Sequence, residues 1–166
     1  MRTQAMNGKL VVALALFVIV LVAARSFSVD ADSTALGYLK THIATLQQVL
    51  TDPKLADHTH QAERRKLERL ILQQLFDFHE MARRSLGADA RKYEDRMREF
   101  TPLFIDFLEH VYVGELEENG DAKIQYVREL IVGDKIVEID TKTKLRDGSE
   151  YSVDYRLMLS PAGWRV

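Results

Sequence analysis

Several ionisable residues lie close together in the stretch FDFHEMARRSLG, among them Asp77, His79, Glu80 and Arg83. Carboxylates and an imidazole at such short range could transfer protons or hold a metal ion. However, their spacing is not that of HExxH, the helical zinc motif, and they form no recognised catalytic triad. We therefore interpret them as solvated or helix-capping residues, so the stretch is better explained by its apolar residues.

A second set of possible ligands, His58 and His60, lies in the sequence DHTH. The region resembles a loop and offers no third ligand beside them, so we place both residues on the surface. The chain has no cysteine, which excludes a disulfide framework and a thiol nucleophile. Its 23 basic and 25 acidic residues are interspersed, which argues against a nucleic-acid partner.

The N-terminus predicts a signal peptide over residues 1–24. Arg2 and Lys9 precede an apolar run of 15 residues that ends in small side chains. The alternative is an uncleaved membrane anchor, but a span needs roughly 20 apolar residues and Arg25 ends this run. We expect cleavage after Ala24, or as late as Ala31, and a single domain over residues 32–166.

The first half of this domain, residues 33–113, has helical periodicity. Ser33 is the predicted N-cap of a first helix that continues to about Leu50. A second helix is predicted to end at Gly87, where a left-handed cap is favoured. Its apolar side chains recur at helical spacing, at Leu67, Leu70, Ile71, Leu75 and Phe78.

A third helical pattern runs from about Asp89 to Val113 and contains Pro102. Either the helix kinks at this proline, or Thr101 caps a new helix with Pro102 in its first position. One stripe of the pattern is apolar and consists of Tyr93, Met97, Phe100, Phe104, Phe107 and Val111.

Residues 122–166 predict an antiparallel sheet, because the apolar period changes to two. A two-residue turn at Asp147 and Gly148 would place charges on the apolar face, so we reject it. A three-residue loop, Arg146 to Gly148 with Gly148 left-handed, keeps the apolar residues on one face of the sheet and the charged residues on the other. It pairs Thr143 with Tyr151, Thr141 with Val153 and Ile139 with Tyr155. A four-residue turn, SPAG, pairs Leu159 with Trp164, and a less regular strand around 124–130 precedes the meander.

Three stretches, FDFHEMARRSLG, FIDFLEHVYVGEL and YSVDYRLMLSPAGWRV, resemble the MlaC family of periplasmic phospholipid-binding proteins, also called the toluene-tolerance family. The resemblance implies a soluble, monomeric periplasmic carrier that moves phospholipid between the outer and inner membranes. It implies an outer-membrane lipoprotein complex and the lipid-binding subunit of an inner-membrane ABC transporter as partners. It also implies that the lipid is cargo, with no cofactor. Family members continue past the motif GWRV, so we expect a further strand and helix beyond Val166.

A cavity for such a lipid must be large and apolar. At about 0.8 kcal/mol per methylene, a lipid of roughly thirty methylenes does not leave a bilayer unaided. We predict an α+β fold in which the N-terminal helices pack on one face of the sheet, with an apolar cavity between them. Arg83 is the candidate headgroup contact. The candidate lipid contacts are Phe76, Phe78, Met81, Phe104, Phe107, Val111, Val137, Ile139, Tyr151, Val153, Tyr155, Leu157 and Trp164.

Two other interpretations remain open at this point. For any single lining residue, the alternative is a place in an ordinary core, and a filled core would make the domain a periplasmic interaction module. A small enzyme on a cone-shaped scaffold would instead need polar groups inside an apolar cavity. Only Tyr151 and Tyr155 supply inward-facing polar groups, so we predict a carrier with no catalytic residues.

Overall fold

The computed structural model describes residues 34–166, so the predicted signal peptide lies outside the described residues. Among these residues, four α-helices precede a four-stranded antiparallel sheet of order β1-β2-β3-β4, which confirms the predicted α+β class. The helices are α1 Ala35–Thr51, α2 Gln61–Leu75, α3 Phe78–Ser85 and α4 Met97–Glu118. Short 3-10 segments, His58–His60 and Gly87–Arg96, precede α2 and α4. The strands are β1 Lys123–Gly133, β2 Ile136–Lys144, β3 Glu150–Ser160 and β4 Gly163–Arg165.

The β2–β3 hairpin has the predicted register. Thr143 pairs with Tyr151 and Ile139 with Tyr155, and the backbone N–H of Leu145 donates to Ser149 O at 2.9 Å. Three residues therefore form the loop, and Gly148 has a φ of 90°, in the left-handed region that favours glycine. Alternation of side chains across the strands was sufficient to fix this register.

The other strand connections also follow the prediction, with one difference. Leu159 pairs with Trp164, but Ser160 pairs with Gly163 as well, so the turn contains two residues rather than four. β1 is longer than expected and has irregularities between Tyr126 and Arg128 and between Ile131 and Gly133. Such bulges bend an edge strand and interrupt its pairing.

The main core lies between α1 and one face of the sheet. Tyr38, Leu39 and Ile43 of α1 pack against side chains from the middle of β2 and β3. The Thr34 side chain caps α1 by accepting the Gly37 N–H at 3.0 Å, so the predicted cap at Ser33 is wrong by one position. Threonine serves because its hydroxyl reaches the same N–H groups of the first turn.

The predicted second helix is two helices, because the chain is extended at Phe76. Asp77 caps α3, and its carboxylate accepts the Glu80 N–H at 2.9 Å. The backbone of this break bonds to the sheet: Val166 N–H donates to Leu75 O and Asp77 N–H donates to Val166 O, both at 2.9 Å. Phe76 thus forms a parallel bridge with Val166. Gly87 is left-handed as predicted, with a φ of 57°, just beyond the end of α3.

The helical part ends later than predicted, at Glu118 rather than at 113. Pro102 lies inside α4, which begins at Met97, so Thr101 does not cap a new helix. Pro102 is the sixth residue of α4, beyond the first turn whose N–H groups have no helical partner, so it removes one hydrogen bond of the helix. The 3-10 segment Gly87–Arg96 replaces the start of the predicted third helix.

Ion pairs set the orientation of α4 relative to α2. Arg64 lies 2.8 Å from Glu117, and Arg69 pairs with Glu109 and Asp106. Arg64 also contacts Glu68, which is 3% exposed and whose pKa is raised by burial and then by the negative charge of Glu117. The basic side of α2 therefore faces the acidic side of α4.

The β3 edge is only partly covered within the described part of the chain. β4 pairs with Met158, Leu159 and Ser160, so residues 150–157 have no strand partner on that side among residues 34–166. Unpaired backbone groups along a strand edge can accept another strand. This open edge carries Tyr151 and Val153, two of the predicted lipid contacts.

Candidate functional site

A cavity of about 210 Å³ lies between α3 and the end of the sheet nearest β4. Its apolar wall consists of Met81, Ile136, Met158 and Val166. Ile136 pairs with Met158 on the sheet face opposite to Val137 and Leu157, because neighbouring residues of a strand point to opposite faces. The cavity therefore lies mainly on the other face of the sheet from the core beneath α1, and Val166 both lines the cavity and packs against that core.

The break between α2 and α3 positions the cavity wall. Its hydrogen bonds to Val166 hold the first turn of α3 beside the last residues of the sheet. The Asp77 cap satisfies the N–H of Glu80 and fixes the start of α3. As a result, Met81, one turn further along, contributes to the apolar wall.

Charged residues form the polar rim of the cavity. Both carboxylate oxygens of Glu80 accept hydrogen bonds from Arg83 at 2.7 Å, and one also accepts from Arg84 at 2.7 Å. The Arg83 hydrogen bond is the main cause that lowers the pKa of Glu80 from 4.5 to about 2. Arg83 thus has a carboxylate partner, which the sequence prediction did not anticipate, and its contact with a headgroup stays a prediction.

Six predicted lipid contacts lie in or against the main core rather than around an open cavity. Leu157 and Ile139 are 0% exposed, and Val137 is 6% exposed. Phe76, Tyr155 and Trp164 are half-buried and pack against this cluster. The space between α1 and this face of the sheet is therefore filled by side chains, because α1 presents Tyr38, Leu39 and Ile43 to it.

Four other predicted contacts are exposed. Phe107 is 60% exposed and Val111 44% on α4, while Tyr151 is 57% and Val153 36% exposed on β3. Phe107 and Val111 do not cover the sheet as expected, because α4 turns its acidic side towards α2. These positions are unpartnered apolar surface in the described part of the chain.

The remaining predicted contacts are half-buried. The Phe78 ring lies 5.8 Å from that of Phe76, and the Phe104 ring lies 6.0 Å from that of Phe100. Only Met81 of the predicted set lines the cavity. Sequence analysis thus found apolar positions correctly but did not distinguish core, cavity and exposed surface.

Two comparisons with known proteins bear on the identity of the fold. A family model described as MlaC protein matches residues 40–166. The chain belongs to the MlaC family. A phospholipid-binding protein from Ralstonia solanacearum, solved in complex with a phospholipid, has a similar fold, with a TM-score of 0.63 and 20% identity. The match covers 77% of this chain and 72% of that one. A search of the curated proteins finds no match.

For this MlaC-family chain, the sequence analysis missed most of the cavity wall. Ile136, Met158, Val166 and Arg165 line the cavity but were not among the predicted contacts. The sequence did contain a signal for this wall, because Ile136 and Met158 are apolar residues at positions where the strand alternation predicts a solvent-exposed face. An apolar residue that breaks a polar alternation suggests that something covers that face.

The tyrosines of this MlaC-family domain suit an apolar wall better than proton transfer. Burial raises the pKa of Tyr155, and burial followed by the nearby Tyr155 raises the pKa of Tyr126 to about 12. A general base that works near neutral pH needs a pKa shifted towards 7, which is the opposite direction. Both phenols therefore stay protonated at neutral pH.

Metal binding and membrane insertion find no support in the part of this MlaC-family chain that the structure describes. Among residues 34–166, no group of three His, Cys, Asp or Glu residues could hold a metal ion. His58 and His60 are exposed, as predicted. No helix of that range is long and apolar enough to cross a bilayer.

Proposed function

We propose that this protein binds phospholipid in the periplasm and carries it between the outer and inner membranes without a catalytic step. The observation that carries the proposal is the MlaC family match over residues 40–166. The fold similarity to the Ralstonia solanacearum protein, which was solved with a bound phospholipid, supports it further.

The distribution of apolar surface supports lipid binding between the sheet and the α3–α4 segment. The cavity beside α3 is about 210 Å³, below the roughly 300–1,000 Å³ of ordinary ligand pockets. Binding of two acyl chains therefore requires the cavity to widen. Further apolar area that acyl chains can cover lies outside this cavity, at Phe107 and Val111 on α4 and at Tyr151 and Val153 on the core face of β3.

The ion pairs between α2 and α4 are compatible with such widening. Arg69 is 51% exposed, so its attraction to Glu109 and Asp106 is screened by solvent and is weak compared with a packed apolar contact. The end of α4 near Arg69 can then move away from α2 at a modest energetic cost, while the less exposed Arg64–Glu117 pair holds the other end. We propose that α4 is the part of the wall that moves when lipid enters.

Mass spectrometry under native conditions tests lipid binding directly. Protein purified from the periplasm should carry one phospholipid, and delipidated protein should take up phospholipid or a fluorescent fatty-acid analogue. Delipidated, folded protein that takes up neither ligand would refute the proposed function. The same preparation tests export, because a processed N-terminus after Ala24 or Ala31 is expected.

The carrier function also implies docking partners, and this docking can be tested. We propose that the protein docks on the lipid-binding subunit of an inner-membrane ABC transporter and on an outer-membrane lipoprotein complex. Lipid-loaded protein should deliver labelled phospholipid to vesicles that contain the transporter, and delivery to empty vesicles should be slower. Equal delivery to both vesicle types would contradict the transporter step, while leaving lipid binding intact.

A further inference from the structure

The cavity beside α3 contains a positive charge that no carboxylate neutralises. Three arginines and two carboxylates line it, which leaves a net charge of +1: Arg84, Arg156 and Arg165 against Asp77 and Glu80. Arg84 pairs with Glu80 at 2.7 Å, and Arg156 pairs with Glu138 at 3.1 Å. Arg165 has no carboxylate within 4.0 Å among residues 34–166.

The carboxylates of the cavity are already engaged with other groups. Asp77 accepts the N–H of Glu80 as the cap of α3, and Glu80 accepts from Arg83 and Arg84. Neither carboxylate lies within 4.0 Å of the Arg165 guanidinium, so neither forms an ion pair with it. This distinguishes Arg165 from Arg83, the headgroup candidate suggested by the sequence, which shares the Glu80 carboxylate with Arg84.

The Arg165 side chain is half-buried and held in place. One terminal nitrogen, Nη1, donates to the Tyr38 hydroxyl at 2.6 Å and to Trp164 O at 3.0 Å. The guanidinium also lies 5.9 Å from the centre of the Tyr38 ring. A guanidinium has five N–H donors, so the Nε and Nη2 groups can still donate to an anion in the cavity.

Arg165 therefore combines an anion-binding group with an adjoining apolar wall. It pairs with Met158 across β3 and β4, and Met158 itself lines the cavity beside Met81 and Ile136. A half-buried, positioned guanidinium favours phosphate or carboxylate, because charge-assisted hydrogen bonds strengthen where water is partly excluded. The apolar side chains favour the first methylenes of an acyl chain.

We propose that Arg165 binds the anionic head of an acyl lipid, a phosphodiester or a carboxylate, while Met81, Ile136 and Met158 contact the start of its chain. This inference rests on the proposed lipid-binding function and adds to it a specific anchor. It also predicts that the domain discriminates between anionic and neutral amphiphiles of the same chain length.

The test compares dodecanoate with dodecanol by calorimetric titration of the delipidated domain. The wild-type protein should bind dodecanoate about tenfold more tightly, a difference that one charge-assisted hydrogen bond supports. Arg165→Gln should abolish this preference without weakening dodecanol binding, and Arg165→Lys should retain part of it. Arg128→Gln is the matched control, since Arg128 pairs with Asp140 outside the cavity.

The outcomes separate this inference from the proposed function. If Arg165→Gln keeps the preference, or weakens both ligands equally, Arg165 is not the anion anchor. If inorganic phosphate binds as tightly as dodecanoate, the site holds free anions rather than lipid heads, and the inference fails. If neither dodecyl ligand binds but native mass spectra still show bound phospholipid, only the proposed role of Arg165 is refuted. Absence of any lipid binding refutes the proposed function as well.

Discussion

Replacing Leu157 with alanine should destabilise the domain, whereas replacing Phe107 with alanine should mainly weaken lipid binding. Leu157 is 0% exposed within the core beneath α1, and Phe107 is 60% exposed on α4. The two side chains are both large and apolar, so their surroundings decide the difference. This pair separates residues that fill the core from residues available to a ligand.

The magnitude follows from the burial of each side chain. Leu157→Ala removes apolar groups worth about 0.8 kcal/mol per methylene and leaves a cavity, so we expect a loss of about 2–5 kcal/mol in the free energy of unfolding. Phe107→Ala should change that free energy by about 0.5 kcal/mol or less, because most of the ring already contacts water. Its removal should instead reduce phospholipid affinity.

Urea denaturation of the delipidated proteins measures the first effect. A domain of this size has an m-value of about 1–3 kcal/mol/M, so Leu157→Ala should lower the midpoint by at least about 0.7 M at unchanged m. Uptake of a fluorescent phospholipid measures the second effect, with Arg128→Gln as the surface control. The reasoning fails if Phe107→Ala destabilises the domain as much as Leu157→Ala, or if lipid uptake is unaffected.

Three other changes test local features. Gly148→Val should lower the free energy of unfolding by about 1 kcal/mol or more, because a φ of 90° strains a residue that has a side chain. Ser149→Val should be nearly neutral in thermal unfolding. Equal tolerance at the two positions would contradict the three-residue loop. Asp77→Ala should cost about 0.5–2 kcal/mol by removing the α3 cap, and Asp77→Asn should cost less; equal losses would argue against the cap. Because the pKa of Glu80 is lowered to about 2, its ionisation adds stability at neutral pH that is lost as pH falls from about 4.5 towards 2. Urea midpoints of Glu80→Gln should lack this pH dependence, and an unchanged profile would refute the assignment.

The sheet was predictable because its signals are local. A side-chain period of two fixes which residues share a face, and the position of Gly148 then fixes the loop length. The start of α3 had a local signal too, since Asp77 is followed three residues later by Glu80, a pattern typical of helix N-termini. Continuous helical spacing through Phe78 hid that signal.

The orientation of α4 was not predictable in the same way. Helical spacing identifies an apolar stripe through Phe107 and Val111, but it does not say what the stripe faces. The answer depends on Arg64 and Arg69 of α2, which are distant in sequence and pair with the acidic side of α4. The choice between core and cavity for Leu157 and Met81 is likewise a property of tertiary packing, which periodicity does not contain.

The bridge between Phe76 and Val166 has a consequence for how the chain folds. It joins the break after α2 to the end of β4, so the segment that it closes includes α3, α4 and most of the sheet. Contacts between residues so far apart in sequence form slowly, because the entropy of closing the intervening loop is lost before the contact stabilises it. During synthesis, α1 and α2 emerge long before Val166 does. The cavity wall beside α3 is therefore expected to be assembled late, after the β2–β3 hairpin, and a nascent chain would expose Met81 until then.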